Sequence, residues 1–327
     1  MVASARAVPS PAIPEPSRSA ESDPRTGFGR EPIAPAVDVS VLIPTFRGGE
    51  LAQRVVAAVF GQRTGRRVEV VIVDSGSLES ERAAFERLGA RVVRISEVDF
   101  DHGATRDLAA RSSTGGILVL LNQDALPAGP DWLETLLAPF ASDRAPVAVQ
   151  GAILEFPAAE LESAGRRRFF WDSCGARFYF TSESRQWIAG HGGLGFSTVH
   201  CAIAREAWEE LPFGPTPILE DKKWQAEAAR RGWSIAVAPG AVVWHTHDYD
   251  LRGLVRRCAS EGFGWRTIGV RYPLRQAIGD LLRAADWTEW RRGLASREMR
   301  RPAEIAFPVL RPLALWWGNR WGRRSRA

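Results

Sequence analysis

Ile72-Val73-Asp74-Ser75-Gly76-Ser77 and, further along, Val119-Leu120-Leu121-Asn122-Gln123-Asp124-Ala125 are apolar runs that stop abruptly in small polar and acidic residues. An acidic side chain just past a buried strand lies where open α/β sheets bind ligands, outside the carboxyl ends of the strands. Two such ends in one chain imply one shared cleft. A carboxylate there can take a ribose hydroxyl or a divalent cation, so the pair describes a site for a nucleotide and a metal.

The flanking pattern agrees. Val39 to Pro44 is a β-branched run closed by proline, and Glu50 to Gln62 carries helical apolar spacing at Leu51, Val55, Val56, Val59 and Phe60. Glu69 to Asp74 reads as a strand, Ser80 to Leu88 as a helix, Arg91 to Ile95 as a strand, Thr105 to Ser112 as a helix and Gly116 to Asn122 as a strand. Trp132 to Phe140 follows as a helix and Ala148 to Phe156 as a strand. Alternation of this kind predicts an α/β fold with a mainly parallel sheet and right-handed crossovers. Beyond Phe156 the pattern loosens. Arg166 to Trp171 and Gly190 to Gly195 read as loops over the cleft or as plain connectors. Ala204 to Glu210 and Glu220 to Arg231 read as helices, and two strands, Ser234 to Ala238 and Ala241 to Trp244, are split by Pro239-Gly240 and lead into His245-Thr246-His247.

Composition is that of an ordinary globular chain, 45% hydrophobic and 25% charged over 327 residues. Three cysteines without metal-ligand spacing fit a reducing, cytoplasmic setting and structural thiols. Residues 1–37, rich in Pro, Ala, Ser and Glu and lacking the apolar core of a signal peptide, read as a disordered leader. Charge is uneven: residues 251–327 hold 17 Arg, no Lys and six acidic residues, a balance of +11, which leaves −6 for residues 1–250. That tail also holds Trp265, Trp287, Trp290, Trp316, Trp317 and Trp321. Trp and Arg together suit either a membrane interface or a helical appendage packing its rings on the preceding domain, 38–250. Pro302, Arg311 and Pro312 argue against a membrane span.

The order of motifs resembles the inverting glycosyltransferases of family 2, in particular bacterial rhamnosyltransferase-like members. The resemblance is carried by VSVLIPTF (39–46), VIVDSGS (71–77), FDHGATRDLAA (100–110), LLNQDALP (120–127) followed by Trp132, FSTVHCAIAREAWEELPF (196–213), ILEDKKW (218–224) and VVWHTHDYDLRGLVRR (242–257). It implies the GT-A fold, a nucleotide-binding α/β sandwich, over Val39 to about Gly269. By the same resemblance Asp74 binds the donor nucleotide, with Pro44 and Thr45 lining the base. Asn122-Gln123-Asp124 stands where the family has a D-x-D-like element, so only Asp124 remains as a carboxylate metal ligand, and Asn122 and Gln123 face ribose or phosphate. Asp221, at a helix start ahead of Trp224, matches the catalytic base, and His245 completes the metal shell, with His247 an equal geometric alternative.

The residues support parallel readings of their own. Breaking a sugar–diphosphate bond develops negative charge that Mg²⁺ or Mn²⁺ neutralises through hard oxygen ligands and, for Mn²⁺, an imidazole. An inverting transfer needs one base and no covalent intermediate. Asp101 to Arg106 opens a helix whose N-terminus favours anions, which makes Arg106 a candidate for the diphosphate. Against these stand an Asx turn at Asp74, a turn cap at Asp124, helix capping by Glu220 and Asp221, and a surface carboxylate at Asp107. A nucleic-acid-binding protein fits the basic tail but not the acidic remainder, a dehydrogenase lacks its glycine fingerprint, and an inactive nucleotide-sugar sensor has no reason to keep Asp221. The expected reaction is metal-assisted transfer of a sugar, with L-rhamnose from dTDP-L-rhamnose as the expected donor, to a glycan or lipid-linked acceptor of a surface polysaccharide. The expected place is the cytoplasm, peripheral to the inner face of the plasma membrane, and no nucleic acid is an expected partner.

Overall fold

The structure, a computed structural model, describes residues 37–143, 145–163, 169–171, 187–188, 195–247 and 249–322. Nearly all of the leader, Arg166 to Arg168, Cys174 and most of the glycine cluster therefore lie outside the described residues.

The chain alternates β1 (Val39–Thr45), α1 (Gly49–Phe60), β2 (Val68–Asp74), α2 (Glu79–Arg87), β3 (Arg91–Arg94), α3 (His102–Arg111) and β4 (Ile117–Leu121). β-Branched runs buried on both faces make β1, β2 and β4 central strands: Val41, Ile43, Ile72 and Val119 are fully enclosed. These strands pair in parallel in the order β3-β2-β1-β4, and Ile43 opposite Ile72 and Val41 opposite Val119 bring the carboxyl ends of β2, β1 and β4 to one edge.

The second half of the sheet is mixed. β8 (His200–Ala204), which the sequence pattern had concealed ahead of the following helix, runs antiparallel between β4 and β6 (Ala148–Leu154). Because β8 is reversed, β6 again points the same way as β4, and β9 (Ser234–Trp244) is parallel to β6. The carboxyl end of β9 thus reaches the same edge as that of β4. Pro239-Gly240 does not split β9 into two strands. It forms an irregularity within one 11-residue strand, absorbed by a register shift at Gly151/Ala152. Two-residue strands β5 (Leu126–Pro127) and β7 (Trp187–Ile188) add antiparallel edges to β9.

A buried histidine pins the centre. His200 Nε2 accepts from Trp132 Nε1 at 2.7 Å while Nδ1 faces the Ala152 carbonyl at 3.3 Å, an arrangement of a neutral ring with its proton on Nδ1. Burial lowers its pKa from 6.5 to about 3.

The basic tail is helical: Leu251–Thr267, Leu274–Leu281, Ala284–Ala295 and Pro302–Trp321. Pro302 starts the last helix, where its missing N–H costs nothing, and Pro308 and Pro312 are accommodated inside it. These helices build their own core from Leu254, Cys258, Met299, Ala303, Ala314 and Leu315, closed by Phe169, Phe170 and Trp171. Phe170 N–H donates to Glu304 Oε1 at 3.0 Å and Trp171 Nε1 to the Glu304 carbonyl at 2.7 Å, so these three aromatics belong to the helical core and not to a cleft loop. Among the described residues no helix is long and apolar enough to cross a membrane.

Candidate functional site

At the carboxyl edge of the sheet, Asp124 follows β4 in a tight turn, and its side chain, 44% exposed, is aimed at His245 beyond β9: Oδ1 lies 3.3 Å from Nδ1. The opposite nitrogen of that ring, His245 Nε2, lies 3.2 Å from His247 Nε2, so His245 stands between Asp124 and His247. Burial pushes the Asp124 carboxyl upward, but the His245 hydrogen bond and the charges of His245 and His247 outweigh it and hold the group below the ordinary range. His247 is also stacked on Tyr249, with ring centroids 5.2 Å apart, which ties the strand end to the helical appendage.

Among the described residues no cluster of three or more His, Cys, Asp or Glu side chains is placed to hold a metal ion by itself. Asp124 with His245 offers one hard carboxylate and one imidazole. That donor pair fits Mn²⁺, which accepts an imidazole, better than Mg²⁺, with diphosphate oxygens and water supplying the remaining ligands.

Arg106 is the hub behind this surface. It is 3% exposed, donates to Asn122 Oδ1 at 3.0 Å and to the His102 carbonyl at 3.1 Å, and pairs with Glu220 Oε1 at 3.2 Å. Glu220 accepts a further bond from Thr198 Oγ1 at 2.7 Å. Burial acts to raise the Glu220 pKa, yet Arg106, His102 and Thr198 together bring it below the usual carboxylate value. The network joins the residue two before Asp124 to the residue immediately before Asp221. Thr198 reaches it because antiparallel β8 brings its amino end to the cleft. A sequence pattern that missed the strand gave no signal for Thr198.

Asp221 heads the helix Glu220–Arg230, with a side chain 13% exposed and Oδ2 3.4 Å from Lys222 Nζ; that ammonium is also bonded to the Phe196 carbonyl. Leu219, just before it, sits at φ 63° in the left-handed region, unfavourable for a branched side chain. The turn is braced from the appendage, where a Cβ on Gly264 would stand 2.6 Å from Ile218 and 3.0 Å from Leu219.

Other expected ligands are turned into the protein. Asp74 is 1% exposed and accepts from Thr45 Oγ1 at 2.9 Å, Ser77 N at 3.2 Å and Arg82 Nη1 at 3.2 Å. Burial would raise its pKa, and bonds from Ser77, Thr45 and Arg82 hold it low. The Asx turn is therefore the observed geometry, and Asp74 fixes the loop beside Pro44 and Thr45. Gln123 clamps the ends of β1 and β4: Oε1 accepts from Phe46 N at 3.0 Å and Nε2 donates to the Phe46 carbonyl at 3.2 Å. At α3, the N–H groups of Gly103 and Ala104 are taken by the Asp101 side chain, which also accepts from Thr216 N at 2.7 Å. The expected anion site at this helix N-terminus is thus occupied by its own cap. Asp107 is not a surface carboxylate: 3% exposed, it accepts from Trp208 Nε1 at 2.8 Å, Phe213 N at 3.0 Å and Gly214 N at 2.8 Å.

A largely parallel half-sheet, an antiparallel insertion and a carboxylate–imidazole pair at the strand ends define a GT-A type α/β protein. The profile described as "Glycosyltransferase like family 2" matches residues 35–264. The chain belongs to that family and is a glycosyltransferase. It is 29% identical over 228 residues to the O-antigen chain rhamnosyltransferase RfbN of Salmonella typhimurium, covering 68% of this chain and 71% of that protein. With the O-antigen chain rhamnosyltransferase WbaN of Salmonella anatum it shares 26% identity, over 68% of this chain and 70% of that one. Among solved structures, the mannosyltransferase PcManGT of Pyrobaculum calidifontis, in complex with GDP-Man and Mn²⁺, matches with a TM-score of 0.52 and 19% identity over 88% of this chain and 74% of that chain. Glucosyl-3-phosphoglycerate synthase of Mycobacterium tuberculosis matches with a TM-score of 0.51 and 19% identity, over 72% and 81% respectively. These two likenesses concern the fold.

Proposed function

We propose that the protein is a metal-assisted inverting glycosyltransferase of surface-polysaccharide synthesis, moving L-rhamnose from dTDP-L-rhamnose to a glycan or lipid-linked acceptor. The observation that carries the reading is the meeting of Asp124 and His245 at 3.3 Å, joined through Asn122, Arg106 and Glu220 to Asp221. The names of the rhamnosyltransferase relatives support the sugar and the pathway class.

In this reading the nucleoside lies over Pro44, Thr45 and the Asp74 turn, with Asn122 and Gln123 fixing the strand ends beneath the diphosphate. Arg106 acts from behind, holding Asn122 and Glu220 in register. Asp124 and His245 would hold a divalent cation, which when bound would neutralise charge on the departing diphosphate. Asp221 removes the acceptor hydroxyl's proton as the oxygen attacks the anomeric carbon. The bond from that carbon to the diphosphate oxygen breaks, and the nucleoside diphosphate leaves with the electron pair. The Arg- and Trp-rich appendage keeps the enzyme peripheral on the cytoplasmic face of the membrane.

The test is a panel of dTDP-, UDP- and GDP-sugars with Mn²⁺ or Mg²⁺, scored by thermal shift and slow donor hydrolysis. Selective stabilisation and hydrolysis of dTDP-L-rhamnose is the expected result. Preference for a UDP- or GDP-sugar overturns the donor, and no response to any of them overturns the reading.

A further inference from the structure

Apolar exposure on this molecule is concentrated in one region. Of seventeen large hydrophobic side chains exposed among the described residues, twelve lie within residues 251–321, where single scattered residues would need no explanation but a patch does. On the helix Pro302–Trp321, Ile305, Val309, Leu313, Trp317 and Trp321 recur every fourth residue and form one exposed stripe, while Ala303, Ala314 and Leu315 face the core. Trp317 and Trp321, the largest of the stripe, are 54% and 50% exposed.

Beside the stripe, a groove of about 750 Å³ opens against the helix Leu251–Thr267. Leu251, Val255, Trp317 and Trp321 give it apolar walls, Arg252 and Arg256 supply its charge, and no acidic residue lines it. Both arginines are exposed and, among the described residues, neither is paired with a carboxylate. Arg320 lies over the Trp321 ring at 5.4 Å and adds a further cation at the rim. Indole rings beside unpaired guanidinium groups match a phospholipid interface, where rings settle at headgroup depth and arginine meets lipid phosphate.

We propose that this groove and stripe form the face by which the protein docks on an anionic phospholipid surface, with headgroup phosphates at Arg252 and Arg256 and the acyl boundary against Trp317 and Trp321. This deepens the membrane attachment in the preceding reading and does not depend on the sugar donor.

The test is flotation of the full-length protein with vesicles of phosphatidylcholine alone and of phosphatidylcholine mixed with phosphatidylglycerol, at low and high salt. Flotation with the mixed vesicles, weakened but not abolished by salt, is expected. The double variant Arg252→Gln/Arg256→Gln should lower partition to mixed vesicles roughly thirtyfold, and Trp317→Ser/Trp321→Ser should remove the salt-resistant share. Neither should alter donor hydrolysis in solution. Should a variant fail to fold, tryptophan quenching of the native protein by acyl-brominated lipid in mixed vesicles decides: quenching supports the face, and its absence overturns it. Native protein that never floats with mixed vesicles, or folded double variants that float as the native does, also overturn it. Retained flotation without hydrolysis of any donor would instead strike the transfer reading and leave the docking face standing.

Discussion

Asp221 combines a cleft position with little exposure, and its proposed role as the base is separable by substitution from those of its neighbours. Asp221→Asn keeps the shape and removes the proton acceptor, so kcat should fall on the order of 10³-fold while donor affinity stays within about threefold. Isothermal titration with the donor beside initial rates checks this; lost donor affinity would mean the carboxylate holds the cleft together instead. His245 and His247 differ in attachment. His245 is 8% exposed with its ring against Asp124, whereas His247 is stacked on Tyr249. His245→Ala should raise the Mn²⁺ concentration for half activity about 10- to 100-fold, and His247→Ala distinctly less. Metal titrations of the two variants test the order, and its reversal would move the ligand to His247. His200 predicts a pH effect away from the cleft. Its folded pKa of about 3 lies below the ordinary 6.5, so above 6.5 neither state is protonated and the ring contributes no pH dependence. Below 6.5 the unfolded chain takes up a proton that the fold refuses, and stability falls by about 1.4 kcal/mol per pH unit down to the folded pKa. Glutamine can accept from Trp132 and donate to Ala152 without titrating. Urea unfolding of His200→Gln between pH 7 and 5 should therefore show a shallower slope than the native protein, and equal slopes would refute this.

At the scale of elements, glycine decides how closely helices approach. The long helices Leu251–Thr267 and Pro302–Trp321 touch through Gly262, against the Leu315 carbonyl, and Gly318, against the Ala259 carbonyl. A Cβ at Gly318 would overlap backbone, which cannot rotate away as a side chain can. Gly318→Ala should therefore force the helices apart and cost about 1–3 kcal/mol or more, read as a lower urea midpoint. The same appendage reaches the cleft through Gly264, packed on Ile218 and the left-handed Leu219 that precede Glu220 and Asp221. The entry of the helix that Asp221 heads is thus set by an element far along the chain. Irregularity is local in β9 too, where Pro239-Gly240 interrupts pairing at one register position and lets the strand run on to His245.

Across the whole molecule, the sequence by itself determined the parallel half of the sheet, because β-branched runs alternating with helical spacing leave few topologies once crossovers are right-handed. It also determined that Asp124, Asp221 and His245 close strands or open a helix, since apolar runs ending in acidic or imidazole residues are local signals. Only the tertiary structure decided what those ends face. Antiparallel β8 is too short and too close to the following helix to announce itself, yet it returns β6 and β9 to the direction of β4 and so carries His245 to Asp124. Arg106, which looked like a diphosphate ligand, is enclosed by Asn122 and Glu220, and Asp74 and Asp107 spend their acceptors on backbone and neighbouring side chains. A buried charge must find partners from distant segments, and no spacing along the chain encodes which ones. The tail's tryptophans divide on the same ground. Trp265 and Trp290 pack at the appendage core, and Trp317 and Trp321 stay exposed, because helix packing rather than composition selects which face of each helix is covered.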